Sequence, residues 1–155
     1  MTMTIAFFGH SDAPRTEELR CQLKAVVEQL AVRGATEFLL GGYGAFDEMA
    51  AGVVRESKEQ QKNICAVLVL PYLERKMDVS GFDSTIYPPL ETVPKKYAIS
   101  HRNRWMAENA DVIVAYVNHG WGGAAAALRY AITKKKEIIQ LGSLQLPAAP
   151  SGWWE

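Results

Sequence analysis

The chain has 155 residues, 48% of them hydrophobic and 22% charged, which suits one substantial core and leaves little room for two independent domains. Its 17 Lys and Arg balance 17 Asp and Glu, and a net charge of zero argues against holding duplex nucleic acid or anionic membrane by bulk electrostatics. The composition is too apolar for disorder, and no segment reaches the roughly 18 uninterrupted apolar residues of a membrane span.

Met1 to Gly9 lacks the basic start, long apolar stretch and small-residue cleavage site of a secretory signal, so the expected compartment is the cytoplasm. Cys21 and Cys65 show neither zinc nor disulfide spacing and read as small core residues. Thr4 to Phe8 is a short apolar run stopping at Gly9-His10-Ser11, as a buried strand does on entering a functional loop. From Thr16, the apolar positions Leu19, Leu23, Val26, Val27, Leu30 and Ala31 recur at helical spacing until Gly34. Glu37 to Leu40 reads as a second strand, followed by the turn Gly41-Gly42-Tyr43-Gly44 and a helix marked by Phe46, Met49, Ala50 and Val53.

Ile64 to Leu70 is almost wholly apolar, the signature of a parallel strand covered on both faces, and Pro71 ends it. Residues 71–97 carry four prolines and little periodicity; a loop of that length is more often functional than idle. A helix is expected over roughly Ala98 to Asn109, a fourth strand over Asp111 to Val117 and a second glycine turn over Asn118 to Gly123. A helix over 124–133 and a fifth strand over Glu137 to Leu141 follow. Alternating strands and helices predict a single-domain α/β protein, a Rossmann-like doubly wound parallel sheet of about five strands in the order 3-2-1-4-5. The domain is expected to span 1–146, with a tail over 147–155. Ligands of such sheets sit beyond the carboxyl ends of the strands where the order reverses.

The chemistry-bearing residues collect at that edge. Gly41, Gly42 and Gly44 open a helix whose N-terminal amides suit phosphate, with Asp47 and Glu48 in the first turn; a plain tight turn with capping carboxylates is the competing reading. Counting a Gly-x-Gly-x-x-Gly pattern from Gly42 puts Asp47 at the third glycine, which disfavours a dinucleotide dehydrogenase site. Gly120, Gly122 and Gly123 repeat the phosphate turn, and Trp121 between them suits stacking on a base, a hydrophobic lid or a subunit contact. In Ser100 to Met106, Arg102 and Arg104 diverge by about 200° on a helix, so one is expected to reach a ligand and the other to pair with Glu or Asp; a solvated basic helix face is the competing reading. His10, His101 and His119 lack metal-ligand spacing. Neither a nucleophile elbow nor a Walker A motif occurs. Lys134 to Lys136 read as a solvated helix end.

Taken in order, Gly9-His10, Gly41-Gly42 with Asp47, Arg102-Asn103-Arg104-Trp105-Met106 and Gly122-Gly123-Ala124 resemble the SLOG superfamily, over roughly residues 4–141. That superfamily consists of Rossmann-like domains that include DprA and the Lonely Guy (LOG) phosphoribohydrolases; the resemblance is strongest to small stand-alone bacterial members. It implies a pocket for a nucleotide or nucleotide-derived ligand, bounded by Gly9, His10, the two glycine turns, Arg102, Arg104 and Trp121; a ligand-binding protein of the sensor type is the leading expectation. Leu40 to Glu48 looks like the LOG motif, in which Glu48 would take the catalytic place. Leu40 and Ala45 stand where that motif has proline and threonine, and the motif falls later in LOG chains. Asp47 is the carboxylate favoured by the broader SLOG register. A LOG-like N-glycosidase and an oligomerisation module using Trp121, Trp153 and Trp154 are the alternatives. No cofactor, metal, membrane or nucleic-acid partner is expected, and a homo-oligomer is.

Overall fold

The computed structural model describes residues 3–73 and 79–142, and the expected tail lies outside them. In chain order the elements are β1 (Met3–Gly9), α1 (Glu17–Arg33), β2 (Ala35–Leu40), α2 (Ala45–Ser57), β3 (Cys65–Val69), β4 (Ser84–Ile86), α3 (Lys95–Asn109), β5 (Val112–Tyr116), α4 (Gly123–Thr133) and β6 (Glu137–Gln140). They form one parallel sheet in the order β4-β3-β2-β1-β5-β6. The order reverses between β1 and β5, which places the crevice of a doubly wound sheet at their carboxyl ends. No helix among the described residues is long and apolar enough to cross a membrane.

Local signals account for most boundaries. Thr16 caps α1 by accepting a hydrogen bond from the Leu19 amide at 3.2 Å, and Glu17 and Glu18 complement the helix dipole. Gly34, at φ 112°, ends it. The strands β3-β2-β1-β5-β6 have the order read from the sequence. The sixth, β4, lies within the stretch expected to be a loop. It is three residues long and largely exposed, and too short to show a period. Tertiary contacts hold it instead: the Leu70 amide donates to the Ile86 carbonyl at 2.7 Å, and Asp83 accepts from the Ala66 amide at 2.8 Å while pairing with Lys58.

Two apolar layers cover the sheet. Ile5 and Phe7 of β1 pack with α1 and α2, whereas Ala6 and Phe8 pack with α3 and α4, as the two-residue alternation of a strand requires. Cysteine placement departs from the core reading. Cys21 is exposed, because it lies two residues beyond Leu19 and so about 200° around α1 from the buried stripe Leu19, Leu23, Val27 and Leu30. Cys65 begins β3 and is only half-buried.

Candidate functional site

A cavity of about 460 Å³ opens at the carboxyl ends of β1, β2 and β5. Gly9, His10, Gly41, Asp47, Arg102, Trp121, Gly122 and Gly123 line it. Gly42, Gly44, Glu48, Arg104 and Gly120 are not in its wall. Glu48 points outward and pairs with Arg15 at 2.9 Å, both side chains being more than half exposed. Arg104 sits over the Tyr130 ring, 5.4 Å from its centroid, and the Gly120 carbonyl accepts from Arg129. The two arginines diverge as helical geometry requires, with Arg102 facing inward, but Arg104 lies over an aromatic ring and, among the described residues, makes no ion pair with the Glu or Asp expected of it.

The two glycine turns differ. At the first, Gly44 has φ 93°, and a Cβ there would lie 2.5 Å from the Ser11 Cα; the neighbouring Ala45 amide donates to the Ser11 carbonyl at 2.8 Å. The loop after β1 thus closes over the start of α2. Neither α2 nor α4 has a side-chain cap, but at the second turn Gly122, at φ 96°, has nothing among the described residues within 4 Å of where a Cβ would lie, and the first turn of α4 carries no acid. A helix start with open approach and no capping side chain suits an anion far better than one covered by a carbonyl with a carboxylate beside it.

That carboxylate belongs to Asp47, which is buried and accepts a hydrogen bond from the Tyr43 amide at 3.2 Å. Burial pushes its pKa up to about 7, against the opposing pull of the Tyr43 amide and the Arg102 charge. Arg102 is itself buried: its Nη1 donates to the carbonyls of Gly41 at 3.2 Å and Val69 at 2.8 Å, and its Nε donates to Asn103 Oδ1 at 2.9 Å. Burial lowers the guanidinium pKa and Asp47 partly offsets this. The arginine thereby ties the ends of β2 and β3 to α3.

Three rings stack beside this floor. His10 and His119 lie 3.7 Å apart at 10°, and His119 and Trp121 lie 3.7 Å apart at 20°. The Asn118 amide donates to His10 Nε2 at 3.1 Å, so the His10 proton resides on Nδ1 and the ring is neutral. Burial, followed by the adjacent His119, lowers the His10 pKa, and Asp12 partly offsets them. A histidine with a depressed folded pKa contributes stability above its unfolded value of 6.5, and that contribution is lost as the pH falls through the folded value. The stability of the wild type relative to His10→Gln is therefore expected to fall from about pH 7 to about pH 5, as measured by urea denaturation of both proteins across that range. Equal slopes would contradict this.

His119 lies in the cavity wall beside the expected edge, and Asn103, not among the residues expected there, lines the cavity as well. A helical signal for the latter was present: Ile99, Arg102, Asn103 and Met106 recur at spacings of three and four and all line the cavity. No group of three or more His, Cys, Asp or Glu side chains among the described residues is arranged to hold a metal ion.

The sequence matches no family model and no curated protein. Solved structures do match. The structural-genomics target TM1055 is 21% identical with a TM-score of 0.61, over 88% of this chain and 72% of that one. DNA processing protein A from Helicobacter pylori is 17% identical with a TM-score of 0.64, over 92% of this chain and 66% of that one. The molybdenum cofactor carrier protein of Chlamydomonas reinhardtii is 22% identical with a TM-score of 0.62, over 90% of this chain and 76% of that one. Similarity at this level defines the fold alone, a Rossmann-like α/β fold with a parallel sheet.

Proposed function

We propose that the protein binds a nucleotide or nucleotide-derived small ligand in the cavity at the carboxyl edge of the sheet. The observation that carries this reading is the uncapped start of α4, which opens into the cavity directly after the exposed Trp121 ring. Helix amides suit phosphate and an indole suits a base. A volume of about 460 Å³ is in the range of small-molecule sites, and zero net charge favours a discrete ligand over a polymer. Among the structural neighbours, one carries the molybdenum cofactor and another binds single-stranded DNA, so phosphate-bearing and cofactor-type ligands both belong in the first screen.

A thermal-shift series over nucleoside mono- and diphosphates, cyclic nucleotides and ADP-ribose derivatives tests the reading. A true ligand at a hundredfold excess over Kd stabilises by about 2.7 kcal/mol, a readily measured rise in Tm. No stabilisation by any member would overturn it. Once a base-bearing ligand is found, Trp121→Ala is expected to weaken it by roughly 10- to 100-fold, the range for losing one base–aromatic stack; unchanged affinity would remove Trp121 from the site.

A phosphoribohydrolase activity is the second reading, and the buried Asp47 carboxyl in the cavity wall favours it. A group titrating near neutrality beside a sugar suits proton transfer or stabilisation of an oxocarbenium-like transition state. Glu48, facing solvent with Arg15, is less suited to that role than its place in the motif implies. Free base released from a nucleoside monophosphate, lost in Asp47→Asn and kept in Glu48→Gln, is the expected result. Loss in Glu48→Gln alone would reverse the assignment.

A further inference from the structure

We propose that Asn103 is a ligand-contacting residue of this cavity, donating its side-chain Nδ2–H to a phosphoryl oxygen of the bound nucleotide, with Arg102 as the positioning residue that fixes the orientation of its carboxamide. The proposal rests on the nucleotide-binding reading above and specifies which side chain recognises the phosphate.

A carboxamide carries an acceptor oxygen and a donor nitrogen of nearly equal shape, so an unconstrained asparagine on a helix can present either. Asn103 has no such freedom. Arg102 Nε–H can only donate, and it lies 2.9 Å from Oδ1. The guanidinium cannot swing away, because its Nη1 is fixed by the Gly41 and Val69 carbonyls and the side chain is buried. The amide oxygen is thus committed to the arginine and the amino group is directed the other way.

In that direction lies α4. Asn103 Nδ2 is 4.0 Å from the position a Cβ would take on Gly123, and both residues line the cavity. Among the described residues no hydrogen bond engages Nδ2. Its N–H groups accordingly converge with the first amides of α4 on one region of the cavity, from a second element. An acceptor oxygen placed there would be bonded from two sides. Arg102, by contrast, spends three hydrogen bonds on the protein itself. The site therefore reads an anion partly through a neutral amide that a buried cation holds in place.

The test combines spectroscopy and affinity, with inorganic phosphate and adenosine monophosphate as probes. In ¹⁵N-labelled wild type, both probes are expected to shift the Asn103 side-chain NH₂ resonances. Asn103→Asp keeps the oxygen for Arg102 while replacing the donor by a second acceptor; adenosine monophosphate affinity is expected to fall about 30-fold or more, and adenosine affinity to change less than about twofold. The Arg102 Hε resonance should move downfield in Asn103→Asp and upfield in Asn103→Ala, as the direct bond from Nε–H to residue 103 requires. An Hε resonance indifferent to both substitutions would overturn the positioning role.

Adenosine monophosphate binding equally to wild type and Asn103→Asp, with the amide resonances unmoved, would overturn the role of Asn103 and leave nucleotide binding intact. Phosphate moving those resonances while no nucleotide binds would support Asn103 as the anion donor and count against the nucleotide. Silence toward both probes would overturn the proposal whatever else the cavity binds.

Discussion

Arg102→Leu is expected to lower the unfolding free energy by about 4 kcal/mol, mainly through the two backbone carbonyls it leaves without a donor. Gly41 and Val69 end adjacent strands at the cavity floor, and both carbonyls are satisfied by the same Nη1. A buried polar group stripped of its partner costs roughly 1–3 kcal/mol, and leucine fills part of the volume without replacing either bond. A further contribution comes from Asp47, whose ionised form loses the favourable Arg102 charge. The Asp47 pKa should rise further in the variant, which deepens the loss at alkaline pH. Urea unfolding at neutral pH reads the total. A change below about 1 kcal/mol would show that water replaces the guanidinium at both carbonyls.

Gly9→Ala is expected to cost about 3 kcal/mol, a large penalty for one methyl group. Its Cβ would sit 2.2 Å from Phe46 Cγ and 2.3 Å from Cδ2. Phe46 has no room to retreat: it is fully buried, with the Phe7 ring 6.3 Å away and the Tyr116 ring 6.1 Å away. Relief must come from separating the end of β1 from the start of α2, which also displaces Asp47 one residue on. Ligand affinity should therefore fall together with stability. Gly120→Ala is the matched control, because no described residue lies within 4 Å of where its Cβ would be, and its stability should stay within about 0.5 kcal/mol of wild type. Equal effects from the two substitutions would contradict the close packing argued for Gly9.

Asp47 also sets a pH dependence. Its folded pKa, about 7, lies above the ordinary value of 3.8, so the folded state binds the proton more tightly than the unfolded chain. Stability from this group is fully present below the unfolded value and is lost as the pH rises through the folded one. Asp47→Asn should remove that decline, giving a flatter stability profile between about pH 4 and about pH 8. A profile parallel to wild type would mean that the carboxyl is not held protonated.

Much of the fold was legible because its signals are local. The helix from Thr16 to Gly34 carries its own cap, stripe and terminator, and the apolar runs at β1, β3 and β5 announce strands covered on both faces. β4 was not legible, since its three residues are held by Asp83 and by the edge of β3 and not by a pattern of their own. The site was legible at the level of which loops meet. Gly9, His10, Asp47, Arg102 and Trp121 come together because parallel strands deliver their carboxyl ends to one edge.

The roles within the site depend on side-chain direction, which spacing fixes only in part. Arg102 and Arg104 divide as helical geometry requires, yet nothing in the sequence shows that Arg102 would be spent on carbonyls or that Asn103 would inherit the open side. Asp47 and Glu48 are adjacent, and only the fold places the first in the cavity wall and the second on the surface with Arg15. The equivalence of the two glycine turns likewise dissolves, since Ser11 closes one of them and no described residue closes the other.

The central claim is that this cavity takes a phosphate-bearing nucleotide with its phosphate at the start of α4. The most direct measurement is a crystal structure grown with the nucleotide that gives the largest thermal shift. The account predicts phosphate density within hydrogen-bond reach of the Gly123 and Ala124 amides and of Asn103 Nδ2, with the base against Trp121. A nucleotide bound elsewhere on the molecule, with this cavity empty, would contradict it.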